Sequence, residues 1–278
     1  MTRVPDDVDG ADCQPVAAAW RSGTVAGVHP PYETLRVEVE APRATVTLRR
    51  PAALNAITPQ MLAELDDAFD RLASDRSVVI VVLTGEGRAF SAGVDLKALG
   101  DRTLVDGKVG DILDLPARGV IERIRRLPAV VVAKVNGACF TGALELALAC
   151  DIVLVAQEAK LGDTHAKFGL RPTWGMSQRL PWLVGPARAR WLSYTARTFT
   201  GAEAAAWGLA AQACPLAELD ALVDDLVAAV TAASPGSLRA YKDLYRAAER
   251  ELLPQGLAYE AATDYPIPDT EQRVAGFR

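Results

Sequence analysis

From Leu35 onward, hydrophobic and polar positions follow one another in three kinds of pattern. Leu35, Val37 and Val39 alternate with polar residues, and so do Ala44, Val46 and Leu48. A period of two suits half-buried strands, so the spacing predicts two antiparallel strands turning at Ala41-Pro42. Thr58-Pro59 then opens a helix, with Thr58 as N-cap and Pro59 at the first helical position. Leu62, Leu65, Phe69 and Leu72 recur at helical spacing and give that helix one apolar face. The next apolar runs are continuous: VVIVVLT (78–84), AVVVAKV (129–135) and DIVLVA (151–156). Strands covered on both faces have this composition, which predicts a layered α/β core.

Helical patterns around 117–127 and 142–150 separate these runs. Beyond the third run the pattern predicts helices alone, over 174–184, 187–196, 202–208, 218–233 and 235–251. Residues 1–32 mix acids, glycine and proline and end in HPPYE, where two prolines deny a helix. The chain therefore divides into a flexible N-terminal extension (1–32), an α/β core (33–200) and a helical C-terminal region (201–278). No internal repeat is visible.

Composition narrows the function classes. A net charge of −5 argues against a general nucleic-acid binder, which presents basic surface to phosphates. No apolar run approaches the ~20 residues that span a bilayer, and the acidic N-terminus is unlike a signal peptide. The expectation is a soluble, cytoplasmic protein. Cys13, Cys139, Cys150 and Cys214 show no CxxC spacing, and two histidines are too few to suggest a structural zinc site. Cys139 and Cys150 lie in apolar sequence and read as core filler in a reducing compartment.

Three stretches could carry chemistry. GEGRAFSAGVDLKAL (85–99) follows a buried strand, and Ser91, Ala92 and Gly93 are small enough to let backbone amides approach a ligand. A plain strand-to-helix turn accounts for the same residues. NGACFTGALELALACD (136–151) begins a helix near Gly142, where unpaired N–H groups suit an oxyanion. Glu145 in its first turn complements the helix dipole, but its leucine neighbours imply burial, and a buried carboxylate needs a reason. GDTHAKFGLRPTWGMSQRL (162–180) carries His165 in a polar loop, with Arg171, Gln178 and Arg179 as surface or loop-bracing residues.

Taken in this order, the three stretches resemble the enoyl-CoA hydratase/isomerase (crotonase) superfamily. RPAALNAI (50–57), VLTGEGRAFSAGVDLK (82–97), VNGACFTGALELALACDI (135–152) and PTWGMSQRL (172–180) carry the resemblance, which runs from about Leu35 to the C-terminus. It implies a spiral of ββα repeats with a helical C-terminal trimerisation region, and hence a homotrimer or a hexamer of two trimers. By the same resemblance the amides of Ala92 and Gly142 form an oxyanion hole for a thioester. Losing one such donor costs about 3–4 kcal/mol of barrier. Ala53, Leu54, Gly93, Val94, Asp95, Leu96 and Lys97 would hold CoA, with Lys97 and more weakly Lys242 neutralising its phosphates. Asn136 and Gly137 would shape the loop.

Hydratases of this family typically use two glutamates. Glu145 matches the first; His165 stands where the second is expected. Asp163, two residues earlier, could substitute, although a surface or loop-capping role is the plainer reading. The family's glycine-rich turn reads Pro172-Thr173-Trp174-Gly175-Met176 here, so the pocket should differ too. A Glu/His pair can do general acid–base work near neutral pH. The resemblance implies hydration of a trans-2-enoyl-CoA, with a double-bond isomerase, other enolate chemistry or a non-catalytic acyl-CoA binder as alternatives. Trp174, Met176 and Phe140 read equally as acyl-pocket lining or packing. No metal or cofactor is implied beyond the CoA of the substrate.

Overall fold

The computed structural model describes residues 32–100 and 104–274. The expected extension over 1–32 lies outside these residues, apart from Tyr32. The fold is built from strand pairs that send one strand to each of two sheets. The first sheet holds β1 (Leu35–Glu40), β2 (Arg43–Leu48) and β3 (Ile80–Gly85), and the second begins with β4 (Ala89–Ser91). Then come β5 (Val130–Val135) with β6 (Ala138–Phe140), and β7 (Ile152–Ala156) with β8 (Lys160–Gly162). β9 (Phe199–Thr200) and β10 (Gln212–Cys214) complete the sheets.

The large sheet runs β1-β2-β3-β5-β7-β10 and the small one β4-β6-β8-β9. β1 and β2 pair antiparallel across the Ala41-Pro42 turn, as their alternation predicts, and β8 pairs antiparallel with β9. Every other pairing is parallel. Parallel neighbours need crossovers, and α1 (Pro59–Ser74), α2 (Asp111–Arg126) and α3 (Gly142–Ala147) supply them. β3 is buried at all six positions, the burial its unbroken apolar run predicts. The repeated strand–strand–helix turns form an α/β spiral of the kind the family resemblance implies.

α1 begins as predicted: the Thr58 side chain accepts a hydrogen bond from the Met61 amide, and Pro59 follows it. α2 starts six residues before its expected place and carries Pro116 inside it. The helix-only reading beyond residue 156 is corrected by β8, β9 and β10. β10 joins the large sheet beside β7, so the 201–278 region contributes a strand to the core. Its helices are α4 (Met176–Val184), α5 (Pro186–Thr195), α6 (Gly201–Ala206), α7 (Leu219–Ala232), α8 (Pro235–Ala248), α9 (Leu253–Ala262) and α10 (Thr270–Val274), counting the two that precede residue 201. Among the described residues, no helix is long and apolar enough to cross a membrane.

Lys242 on α8 pins this region to the core. Its Nζ donates to Asp151 Oδ2 at 2.7 Å and to the Ile124 and Ala129 carbonyls at 3.1 and 2.9 Å. With three acceptors and a nearly buried side chain, it serves as an internal tie, which competes with the phosphate role expected for it. Lys242→Ala removes the ion pair to Asp151 and leaves that part-exposed carboxylate with the Val131 amide as its donor. The variant should lose about 1–2 kcal/mol in urea unfolding, the usual worth of hydrogen bonds to a charged group, discounted for the solvent that reaches Asp151.

Candidate active site

The parallel strands β4, β6 and β8 end side by side, and each chain segment leaving them turns toward one cavity of about 170 Å³. Strand ends of a parallel sheet are where loops converge and ligands can be held. β4 is followed by Ala92 and Val94, β6 by Thr141 and Gly142, and β8 by Thr164 and His165, all of which line the cavity. Glu145, Phe168, Thr173 and Trp174 line it as well. The loops are close-packed. A Cβ at Gly93, whose φ is +94°, would sit 2.8 Å from the Phe140 carbonyl, and one at Gly142 would sit 2.5 Å from the Trp174 ring.

Glu145 is 1 % exposed. Its Oε1 accepts from the amides of Trp174 (3.0 Å) and Met176 (2.9 Å), so it caps the start of α4, whose first N–H groups have no helical partner. Burial pushes its carboxyl above the ordinary range, against the lowering effect of those two amides and of His165. The turn that delivers the amides needs Gly175, at φ +118°. Arg179 braces it, donating from Nη1 to the Trp174 carbonyl at 3.0 Å. That agrees with the loop-bracing role read for Arg179 from the sequence.

Glu145 Oε2 faces His165 Nε2 at 3.6 Å. On the other side of the ring, Nδ1 lies 2.6 Å from Asp163 Oδ1. Asp163 is 3 % exposed, so a surface role is excluded. It does cap its loop, accepting the His165 amide at 3.3 Å, and its second oxygen accepts from Ser193 Oγ at 2.6 Å. Burial alone would raise the Asp163 carboxyl; hydrogen bonds from His165 and Ser193 outweigh it and hold the group below its usual range.

Of the residues expected to form an oxyanion hole, Gly142 opens α3, where its amide has no helical acceptor. The Ala92 amide donates to the Leu54 carbonyl at 2.9 Å, so it is not free here. Ala53 and Leu54 sit in and just after a short 3-10 turn beside residues 92–95. Val94 and Leu96 line the cavity; Lys97 is exposed nearby. The Asp95 side chain is occupied, pairing with Arg50 at 3.0 Å and capping the Lys97 amide. Of the three residues read as tail pocket or packing, Trp174 alone belongs to the cavity lining. Asn136 braces its loop, its amide donating to the Gly85 and Gly87 carbonyls, and a Cβ at Gly137 would meet the Arg88 main chain.

Asp114 is a site neighbour the sequence did not reveal. Fully buried on α2, it accepts from Trp174 Nε1 (2.8 Å) and Thr173 Oγ1 (2.6 Å). An acid in a helix's first turn looks like an ordinary dipole partner, so no signal marked it. A larger hollow of about 530 Å³ lies beyond Gly175. Both acids that line it are paired, Glu249 with Arg125 and Asp151 with Lys242, and it offers no acid–base pair like Glu145 and His165.

Comparison with known proteins supplies the family. Residues 38–278 match the profile of the enoyl-CoA hydratase/isomerase family. The chain belongs to that family. Its relatives include the probable enoyl-CoA hydratase of Rhizobium meliloti, 34% identical over 88% of this chain and 93% of the relative. The probable peroxisomal enoyl-CoA hydratase 1 of Arabidopsis thaliana is 40% identical over 56% of this chain and 57% of its own. The enoyl-CoA hydratase structure from Bacillus anthracis superposes with a TM-score of 0.79 at 28% identity, covering 88% of this chain and 95% of the other. This enoyl-CoA hydratase/isomerase family member is thus an enzyme of the crotonase superfamily.

Because burial raises the Glu145 carboxyl, its contribution to stability is present in full below the unfolded pKa and is lost as pH rises through the folded one. Glu145→Gln keeps an oxygen for the two amides and removes the charge. It should therefore gain about 1 kcal/mol over the parent at pH 8 in urea unfolding, with the gain shrinking toward pH 4.5.

Proposed function

We propose that this enzyme adds water to a trans-2-enoyl-CoA to give the 3-hydroxyacyl-CoA, or runs the reverse, with Glu145 and His165 sharing the proton transfers. The observation that carries the reading is the facing of Glu145 Oε2 and His165 Nε2 across 3.6 Å at the wall of one cavity. Hydration needs one group to take a proton from water as its oxygen bonds to Cβ. It needs another to deliver a proton to Cα. A carboxylate and an imidazole side by side can do both.

As the water adds, negative charge builds on the thioester oxygen. In this proposal the Gly142 amide receives it, joined by the Ala92 amide once that N–H turns from the Leu54 carbonyl. Donors aimed at such an oxygen lower the barrier by about 3–4 kcal/mol each. CoA would run along Ala53, Leu54 and residues 93–97, with exposed Lys97 beside its phosphates. A Thermobifida fusca relative solved in complex with CoA, 34% identical with a TM-score of 0.75, supports CoA as the ligand class. The reaction requires no cofactor beyond the CoA of the substrate. Exposed Leu252, Leu253 and Leu257 on and beside α9 support burial against further subunits in a trimer or hexamer. The proposed compartment is the cytoplasm.

A panel of 2-enoyl- and 3-enoyl-CoA thioesters, followed by mass spectrometry, tests the reading. The expected result is the gain of one water on 2-enoyl substrates, abolished in Glu145→Ala and reduced about 100-fold or more in His165→Ala. An unchanged mass with a moved double bond would make the protein an isomerase. Tight binding without turnover of any thioester would overturn the hydratase reading.

A further inference from the structure

We infer that Asp163 is a positioning residue that fixes the His165 tautomer, so that His165 Nε2 and Glu145 Oε2 hold a single proton between them. The catalytic consequence rests on the hydration reading; the tautomer does not.

The argument starts at Asp163. Its carboxylate is buried, accepts His165 Nδ1 at 2.6 Å and the His165 amide at 3.3 Å, and takes the Ser193 hydroxyl at 2.6 Å on its other oxygen. An ionised carboxylate can only accept, so Nδ1 must carry the hydrogen. Nε2 is then the end that gains or loses a proton. It points at Glu145, where Oε1 is saturated by two backbone amides and Oε2 alone remains.

Two bare lone pairs facing each other in a buried cavity repel, and an imidazolium beside a neutral acid wastes the negative partner 3.6 Å away. One shared proton avoids both. The other charged groups around the pair are Arg179 behind the Trp174–Met176 turn, Arg171 at the cavity wall, Asp114 beneath Trp174, and exposed Lys167 on the His165 turn. None of them hydrogen-bonds Nε2 or Oε2.

This arrangement balances hydration. The basic partner takes one proton from water, whose oxygen bonds to Cβ. The acidic partner gives its proton to Cα, where the π pair becomes a C–H bond. The pair holds one proton before and one after, on the opposite partner, and transfer across the gap restores the start. Asp163 touches neither water nor thioester in this scheme; it does not line the cavity.

The chain has two histidines, His29 and His165, so imidazole ¹⁵N NMR can read the tautomer directly, with His165→Gln assigning the peaks. In the unaltered enzyme, His165 Nδ1 should carry the ring hydrogen that faces Asp163. A bare Nδ1 with a protonated Nε2 would overturn the inference, whatever the enzyme turns over. Asp163→Ala, which removes the acceptor that holds the Nδ1 hydrogen, should release the tautomer so that the Nε2-protonated form appears, and lower kcat about 100-fold or more with KM within a few-fold. An unchanged tautomer and kcat would equally overturn it.

Ser193→Ala guards against a misfolded Asp163 variant, because it leaves the carboxylate and its contact with Nδ1 in place. It should keep the Nδ1-protonated tautomer; a tautomer inverted there, with Asp163 intact, would overturn the inference. If no thioester is hydrated but Nδ1 stays protonated, the hydratase reading fails and the role of Asp163 in fixing the tautomer stands.

Discussion

The Glu145 carboxylate, buried and gripped by the Trp174 and Met176 amides, is the contact on which the rest of the site depends. A buried carboxylate costs several kcal/mol unless donors meet it. The donors here come from a turn that only a glycine at 175 can make at φ +118°, and Arg179 holds that turn from behind. The same turn carries the Trp174 ring, which packs against Gly142 and is tied through Nε1 to Asp114 on α2. One ion therefore sets the relative position of α2, α3 and α4. It also leaves a single free oxygen, Oε2, aimed at His165.

Around that contact the fold acts as a convergence device. Three parallel strands of the small sheet finish together, and the segments that leave them bring in Ala92, Gly142 and His165 from points 50 and 23 residues apart along the chain. The close approach has a steric condition. Gly93 lies against the Phe140 carbonyl and Thr141, and Thr141 itself is held at φ +46°, which a threonine adopts only when its surroundings enforce it. Strain and tight packing sit at the cavity wall beside the Gly142 amide, the donor of the proposed oxyanion hole.

The large sheet was legible in the sequence and the small one was not. The β3, β5 and β7 runs are continuous and apolar, a pattern that only burial on both faces explains. β4, β6 and β8 are three residues each, shorter than any period can register, and β10, also three residues, hides in an alanine-rich stretch between helices. Within the site, Glu145 stood out as an acid among leucines, and His165 stood out through the family resemblance. Asp163 read only as a possible substitute or a surface or loop cap, because the one oxygen that caps the loop, Oδ1, is also the one that orients the ring. The Ala92 amide was expected to be open; its bond to the Leu54 carbonyl is a tertiary contact that no local pattern encodes.

A histidine at the position where the family resemblance implies a second glutamate then has a physical logic. Two carboxylates side by side share one proton because like charges a few ångströms apart cannot both ionise. A neutral imidazole beside a carboxylate has no such charge repulsion, and left free to rotate it could present either nitrogen. Asp163 removes that freedom. It moves the second negative charge to the far side of the ring, where Ser193 and the His165 amide stabilise it, and it turns a lone pair toward Glu145. The one-proton condition returns through hydrogen-bond geometry in place of charge repulsion. A site built this way depends on the buried buttress of Asp163 and Ser193 as much as on the two groups that face the cavity.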